Sequence, residues 1–394
     1  MTVEKFINDI LMTVFFFTVG LEIRREMKNG ELSSLKKAMM PVIAAFGGVV
    51  APALIFTAIN HGSAAASGWG IPTATDIAFA VGILSILGDR VPVSLKVFLT
   101  ALAIADDLIA ILVVALFYGG TINFGLLSIA FVLIALVLLM NKLGEKRGWF
   151  YLVPAIAIWS LFYYAGIHST MSGVVMAFLV PMTPRFNEAY FHRKRLQYIR
   201  RLNEYNGIAS TSSEFPNGPQ RHCLRRLSAI SRDSIGMSYR LEHALGPWVN
   251  FLIMPIFALA NAGVEIPDVS YFNVFHFDQV LGSVSMGIFL GLVLGKPLGI
   301  SLASFIAVKL HVGEMPAKST WPMLIAVACL GGIGFTMSIF VDTLSFGDQT
   351  PEVMARLRDM GKVAVLMGSL CAGILGSVLI NIIHGIESRK AVKA

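Results

Sequence analysis

Eleven apolar stretches, each about 15–28 residues long, dominate this chain and leave few folds open to it. They fall at 6–21, 38–59, 71–88, 93–118, 122–141, 149–165, 168–182, 247–263, 280–307, 319–343 and 360–385. A hydrocarbon core of roughly 30 Å takes about 20 residues of helix to cross. Inside lipid every backbone N–H and C=O has to be satisfied within the protein, which restricts such segments to helices or a closed barrel. The runs are continuous rather than alternating, so the sequence predicts an all-α polytopic membrane protein with about 11 transmembrane helices. Composition agrees: of 394 residues 56% are apolar and 14% are Asp, Glu, Lys or Arg, where soluble chains carry about 25% charge. The first apolar run follows Glu4, has no small-residue cleavage site and stops at Arg24-Arg25, which reads as a span rather than a leader.

A formal charge of +7 would suggest nucleic acid in a soluble protein, but the placement of the basic residues favours topology instead. Of 31 Lys and Arg, 26 lie in alternate segments: around 24–37, at Arg90 and Lys96, at 142–147, across 185–240, at Lys309 and Lys318, and in the C-terminal tail. These segments are expected to be cytoplasmic, which puts the C-terminus inside and the N-terminus as given outside. The expected organisation is a membrane half over 1–182, a basic cytoplasmic loop over 183–245, a second membrane half over 246–385 and a tail over 386–394. The loop reads as too basic and too irregular to span, flexible near 210–220, and close to anionic lipid. Cys223, Cys329 and Cys371 are too few and too dispersed for a disulfide framework or a C-x-x-C site.

A charge at bilayer depth costs several kcal/mol or more, so each one needs a purpose. Asp106 and Asp107 sit mid-span in VFLTALAIADDLIAILVVALFY. Helix neighbours are about 100° apart, so one carboxylate can face a cavity while the other addresses an adjacent helix. Paired acids can exchange a proton for a hard cation such as Na+ or Li+, which prefers oxygen ligands. Asp76 lies in GWGIPTATDIAFAVG, where Pro72, two threonines and flanking glycines interrupt the run, and ACLGGIGFTMSIF at 328–340 is interrupted again by Gly331, Gly332 and Gly334. Two broken segments in corresponding halves are the pattern of inverted-repeat transporters. Lys296, the one basic residue deep within an expected span, is followed by Pro297 and should pair with an acid or with the C-terminal end of a half-helix. On its own pattern the Glu22, Arg24, Arg25, Glu26 cluster reads as an interface face, and His168 as a helix-end residue.

These residues carry a close resemblance to the NhaA-type Na+/H+ antiporters. The matching stretches are VGLEIRREMKNGEL, IPTATDIAFAVG, SLKVFLTALAIADDLIAI, AGIHSTMSGV, RLEHALGPWVNFLIMPIFALANAGV, GKPLGISL and GGIGFTMSIF, in family order from about residue 3 to residue 385. The resemblance implies two discontinuous helices crossing at mid-membrane, with sodium moving out of a bacterial cell across its inner membrane as protons move in. It implies that Asp107 is the principal cation and proton carboxylate with Asp106 its partner. Thr75 would be an accessory ligand, and Asp76 and Lys296 would balance half-helix dipoles, with proton exchange at Lys296. Glu22, Arg25, Glu26, Glu242, His243 and His168 match positions tied to pH response. No cofactor, enzymatic activity or nucleic-acid partner is implied; the expected partners are the bilayer, Na+ or Li+, H+ and, as a homodimer, a second copy. Relatives usually have a further N-terminal span and a dimerising hairpin, and the chain as given begins after them. Gly246 also stands where relatives often have histidine, in front of a longer loop. A Na+-coupled symporter of a small organic substrate is the alternative reading. An aspartyl intramembrane enzyme is disfavoured because its acids would come from separate segments.

Overall fold

The structure, a computed structural model, describes residues 3–119, 122–208, 218–264, 282–317, 319–347 and 349–393. In chain order its helices are α1 Val3–Asn29, α2 Leu35–Ile59, α3 Ala64–Thr73, α4 Ile77–Leu87, α5 Val93–Phe117, α6 Phe124–Lys142, α7 Trp149–Ala165 and α8 Met171–Leu179. There follow α9 Glu188–Ile208, α10 Gly218–Asp233, α11 Met237–Asn261, α12 Val284–Lys309, α13 Trp321–Leu330, α14 Phe335–Leu344 and α15 Pro351–Lys393.

All eleven expected spans are helical, but they are not eleven equal crossings. Among the described residues seven helices are singly long and apolar enough to cross a membrane, and two bent pairs bring the number to nine if each forms one span. α3 and α4 meet at 40° and α13 and α14 at 50°. α7 is shorter, and the nine residues of α8 reach only about 14 Å. The stretch 183–245 is largely helical among its described residues. It holds α9 and α10, which pack together, and α11 runs unbroken across the expected boundary at residue 246. Of the run near 210–220, residues 209–217 lie outside the described residues.

Local chemistry explains the breaks. The Asn123 side chain accepts from the N–H groups of Gly125 and Leu126 and starts α6, while Gly166, left-handed at φ 83°, ends α7. Pro255 and Pro297 have no N–H to continue the ladder. Each follows a single π turn, Val249–Ile253 and Gly291–Gly295, that widens the helix around the missing bond.

Packing places α2, α12 and α5 around the two bent pairs, with α1 against α8 and α15 closing the other side. α2 and α12 approach through Gly47 and Gly299, where a Cβ on either would clash with the other's backbone carbonyl. Close backbone contact through small residues is what membrane helices use when lipid is as apolar as the side chains. The outside is correspondingly apolar: Phe131, Val132, Leu116, Phe251 and Leu259 are all at least 60% exposed, facing where lipid lies.

Candidate functional site

The unwound segments of the two bent pairs, 74–76 and 331–334, bind one another. The N–H of Asp76 donates to the Ile333 carbonyl at 2.7 Å, and the Thr75 hydroxyl donates to the Gly331 carbonyl at 2.8 Å. Those carbonyls belong to the linker that follows α13. The Asp76 carboxylate completes the junction. Its Oδ1 accepts from the Phe79 N–H at 3.3 Å, capping its own helix α4. Its Oδ2 accepts from the Thr336 N–H at 3.1 Å and from the Thr336 hydroxyl, capping α14. One negative charge thus serves two positive helix N-termini. From α15 the Ser369 hydroxyl accepts from the N–H groups of Gly334 and Phe335 at 3.2 and 3.0 Å.

Beside the crossing, α5 divides its two acids as helical geometry allows. Asp106 faces α12, where Lys296 Nζ lies 2.5 Å from its Oδ2. The same ammonium donates to the Thr75 hydroxyl at 2.6 Å, and both charged side chains are buried, at 0% and 1% exposure. Lys296 therefore contacts an acid and, through Thr75, the broken segment. Thr75 is engaged by Lys296 and Gly331 and is not among the residues lining the cavity described next.

Asp107 turns the other way. It is buried, its Oδ1 has no hydrogen-bond partner, and it lines a cavity of about 900 Å3 together with Asp76, Glu22, Glu242, His243 and Asn250. The cavity passes from the α1 and α11 ends of the bundle to the crossing. At its mouth Arg25 of α1 pairs with Glu242 of α11, lies 3.1 Å from Glu26 and 3.8 Å from Glu22. The His243 ring packs against Tyr239, with centroids 4.1 Å apart. Five of the six residues matched to pH response are therefore neighbours, and Glu22, Glu242 and His243 border the cavity. His168 stands apart, its Nε2 2.5 Å from the Tyr118 carbonyl. Arg24 donates to the Ala177 carbonyl at 3.0 Å and to that of Val180, completing the end of α8.

Three further polar residues escaped the sequence reading. Asp9 was detectable as an acid within the stretch 6–21; its Oδ1 accepts from Ser169 at 3.5 Å. Asp342 was detectable in the same way at the end of 319–343 and is fully buried. Ser369 had no signal, because a serine in an apolar helix usually bonds its own preceding turn. Among the described residues no cluster of three or more His, Cys, Asp or Glu could hold a resident metal ion.

Comparison with known proteins bears directly on this arrangement. Residues 1–380 match the family described as Na+/H+ antiporter 1. The chain belongs to that family. Similar relatives include the Na(+)/H(+) antiporter NhaA of Syntrophobacter fumaroxidans, 42% identical over 95% of this chain and 78% of the relative. That of Pelagibacter ubique is 43% identical over 95% of this chain and 82% of the relative, and NhaA 2 of Flavobacterium johnsoniae is 43% identical over 95% and 78%. An antiporter family accounts for a polytopic helical membrane protein.

Proposed function

We propose that this chain is a secondary Na+(Li+)/H+ antiporter of the bacterial inner membrane, its basic face and C-terminus cytoplasmic, exporting sodium in exchange for protons. The observation that carries the reading is the split of the paired acids. Asp106 is matched by Lys296, whereas Asp107 stands at the head of the cavity without a cationic partner in hydrogen-bond reach. Hard cations are held by oxygen ligands, and a carboxylate that serves either a cation or a proton makes the two compete. Exposing that carboxylate to one side at a time converts competition into exchange. Asp76 fixes the crossing by capping both half-helices, so rocking of one half against the other can move the cavity without unmaking the site. Arg25 and the acids Glu22, Glu26 and Glu242 sit where a change in cytoplasmic pH reaches the cavity mouth, and with His243 they are the groups we assign to pH regulation. His168, set apart from the mouth, would act there only through α8. If two protons replace one Na+, charge moves inward and a membrane potential contributes roughly 2.3 kcal/mol per charge per 100 mV. The second membrane half begins, in this reading, where α11 enters the bilayer, and α9 and α10 lie on the anionic cytoplasmic leaflet.

The test is Na+-induced alkalinisation of the acidic lumen of everted vesicles, followed with a pH-sensitive dye. Wild type should discharge the gradient and Asp107→Asn should not. Undiminished exchange in Asp107→Asn would refute the assignment.

A further inference from the structure

The cavity at Asp107 opens toward Glu22 and Glu242, and exchange also needs a route on the other side of the crossing. α14 leads that way. It starts at the crossing and ends beside Tyr118, at the end of α5 opposite its basic Arg90 and Lys96 end. One of its faces carries Gly334, Ser338 and Asp342, each one turn from the next.

Both polar side chains on that face are fully buried. The Ser338 hydroxyl and both Asp342 carboxylate oxygens lack a hydrogen-bond partner. A buried carboxylate in that state is costly unless it is protonated or finds a partner in another state of the protein. The charged groups nearest it are Arg358, Asp359 and Lys362 of α15, with the Tyr118 phenol also near. α3 and the stretch 254–261 of α11, which also pack on α14, carry no titratable side chain. The two cations are committed elsewhere. Arg358 donates to the carbonyls of Thr343 at 2.5 Å and Ser345 at 3.4 Å, and Lys362 donates to that of Gly263 at 3.2 Å. On the opposite side the carboxylate rests against Gly361. At the crossing end, a Cβ on Gly334 would clash with the Ser338 hydroxyl and lie 3.1 Å from the Ala74 carbonyl oxygen. The absence of a Cβ there lets the Ser338 hydroxyl lie close to the segment holding Thr75, which Lys296 contacts.

We propose that Asp342 is a proton-binding carboxylate on the outward route, taking the inbound proton from external water and handing it past Ser338 to the helix crossing. The inference rests on the antiport reading and names a residue that reading does not use. A proton suits the site better than Na+. A sodium ion needs several oxygens around it, and here one carboxylate and one hydroxyl are unpartnered on this face of α14 while two cations lie nearby. Only O–H bonds change: water-borne H+ converts the carboxylate to the neutral acid, and the acid releases it toward the crossing as the cation site empties. The Ser338 hydroxyl can accept one proton while giving up its own.

The experiment uses the full chain in liposomes, with radioactive Na+ flux read in two modes: driven by a pH gradient, and as Na+/Na+ exchange at equal pH, which moves no net proton. Asp342→Asn should lower proton-coupled flux about tenfold or more and leave Na+/Na+ exchange within about twofold, with Asp342→Glu restoring coupling. Ser338→Ala should lower coupled flux selectively too, and it decides the matter if Asp342→Asn does not insert. Equal flux to wild type in both modes, or parallel loss in both modes by inserted protein, overturns the proposal while leaving antiport intact. A wild type silent in the coupled mode overturns the antiport reading and this inference with it.

Discussion

The buried pair between Lys296 and Asp106 lends itself to a quantitative test by double-mutant cycle. Both groups are essentially inaccessible, 2.5 Å apart, and the ammonium has the Thr75 hydroxyl as its other partner. Asp106→Asn keeps the shape but leaves a buried cation with one neutral acceptor. Lys296→Met keeps the volume but leaves Asp106 with no hydrogen-bond partner, since its Oδ1 has none already. Breaking such a pair from one side costs about 3–5 kcal/mol, because the survivor stays desolvated. That is roughly a 10²–10⁴-fold change in the unfolding equilibrium. Removing both charges removes the stranded partner as well, so Asp106→Asn with Lys296→Met should regain most of the loss, leaving a net change within about 1–2 kcal/mol. The assay is denaturant or thermal unfolding of the detergent-purified chain, followed by intrinsic fluorescence and retention of monodisperse elution. Two single losses that simply add in the double variant would show that the charges are not coupled, and would refute the geometry on which Asp107's isolation depends.

Asp76→Asn should destabilise the crossing by about 1–2 kcal/mol, because the caps of α4 and α14 share its charge; Thr336→Val, which removes one donor to it, should cost about 1 kcal/mol. Unfolding midpoints at fixed detergent check both, and a wild-type midpoint for Asp76→Asn would contradict the shared cap. If cation and proton compete at the paired carboxylates, then below the site's titration range apparent Na+ affinity should fall about tenfold per pH unit for one proton and about a hundredfold for two. Stability of the bound state is then present above that range and lost as pH falls, which Na+ titration calorimetry from pH 9 to about 6 would register; a flat profile rules competition out. Arg25→Gln takes away the cation paired with Glu22 and Glu242, so these two acids should retain protons to higher pH and the activity profile should move alkaline. An acid shift or no shift in vesicle exchange would dissociate the cluster from regulation.

The sequence alone determined the class of fold and the short list of chemically loaded residues, because the bilayer is an intolerant solvent. Long apolar runs can only be helices there, and Pro72 and the glycines at 331–334 mark where the helices stop. Any charge left inside, such as Asp76, Asp106, Asp107 or Lys296, stands out against apolar neighbours. That these apolar segments are helical was legible for the same reason, though which of them cross was not, since α8 is held by contacts with α1 and its Arg24 rather than by its own span. Within 183–245 the helices α9 and α10 were not legible, because the charge there masks their periodicity. Tertiary structure decided the rest. A helix fixes the angle between Asp106 and Asp107 but not the rotation of α5 as a whole. Packing set that rotation, aiming one acid at Lys296, 190 positions away, and the other into the cavity. It also let one carboxylate cap two helices from different halves and brought Arg25 to Glu242 across 217 positions. These are long-range choices of orientation, governed by which faces of neighbouring helices fit together, and local periodicity carries no record of them.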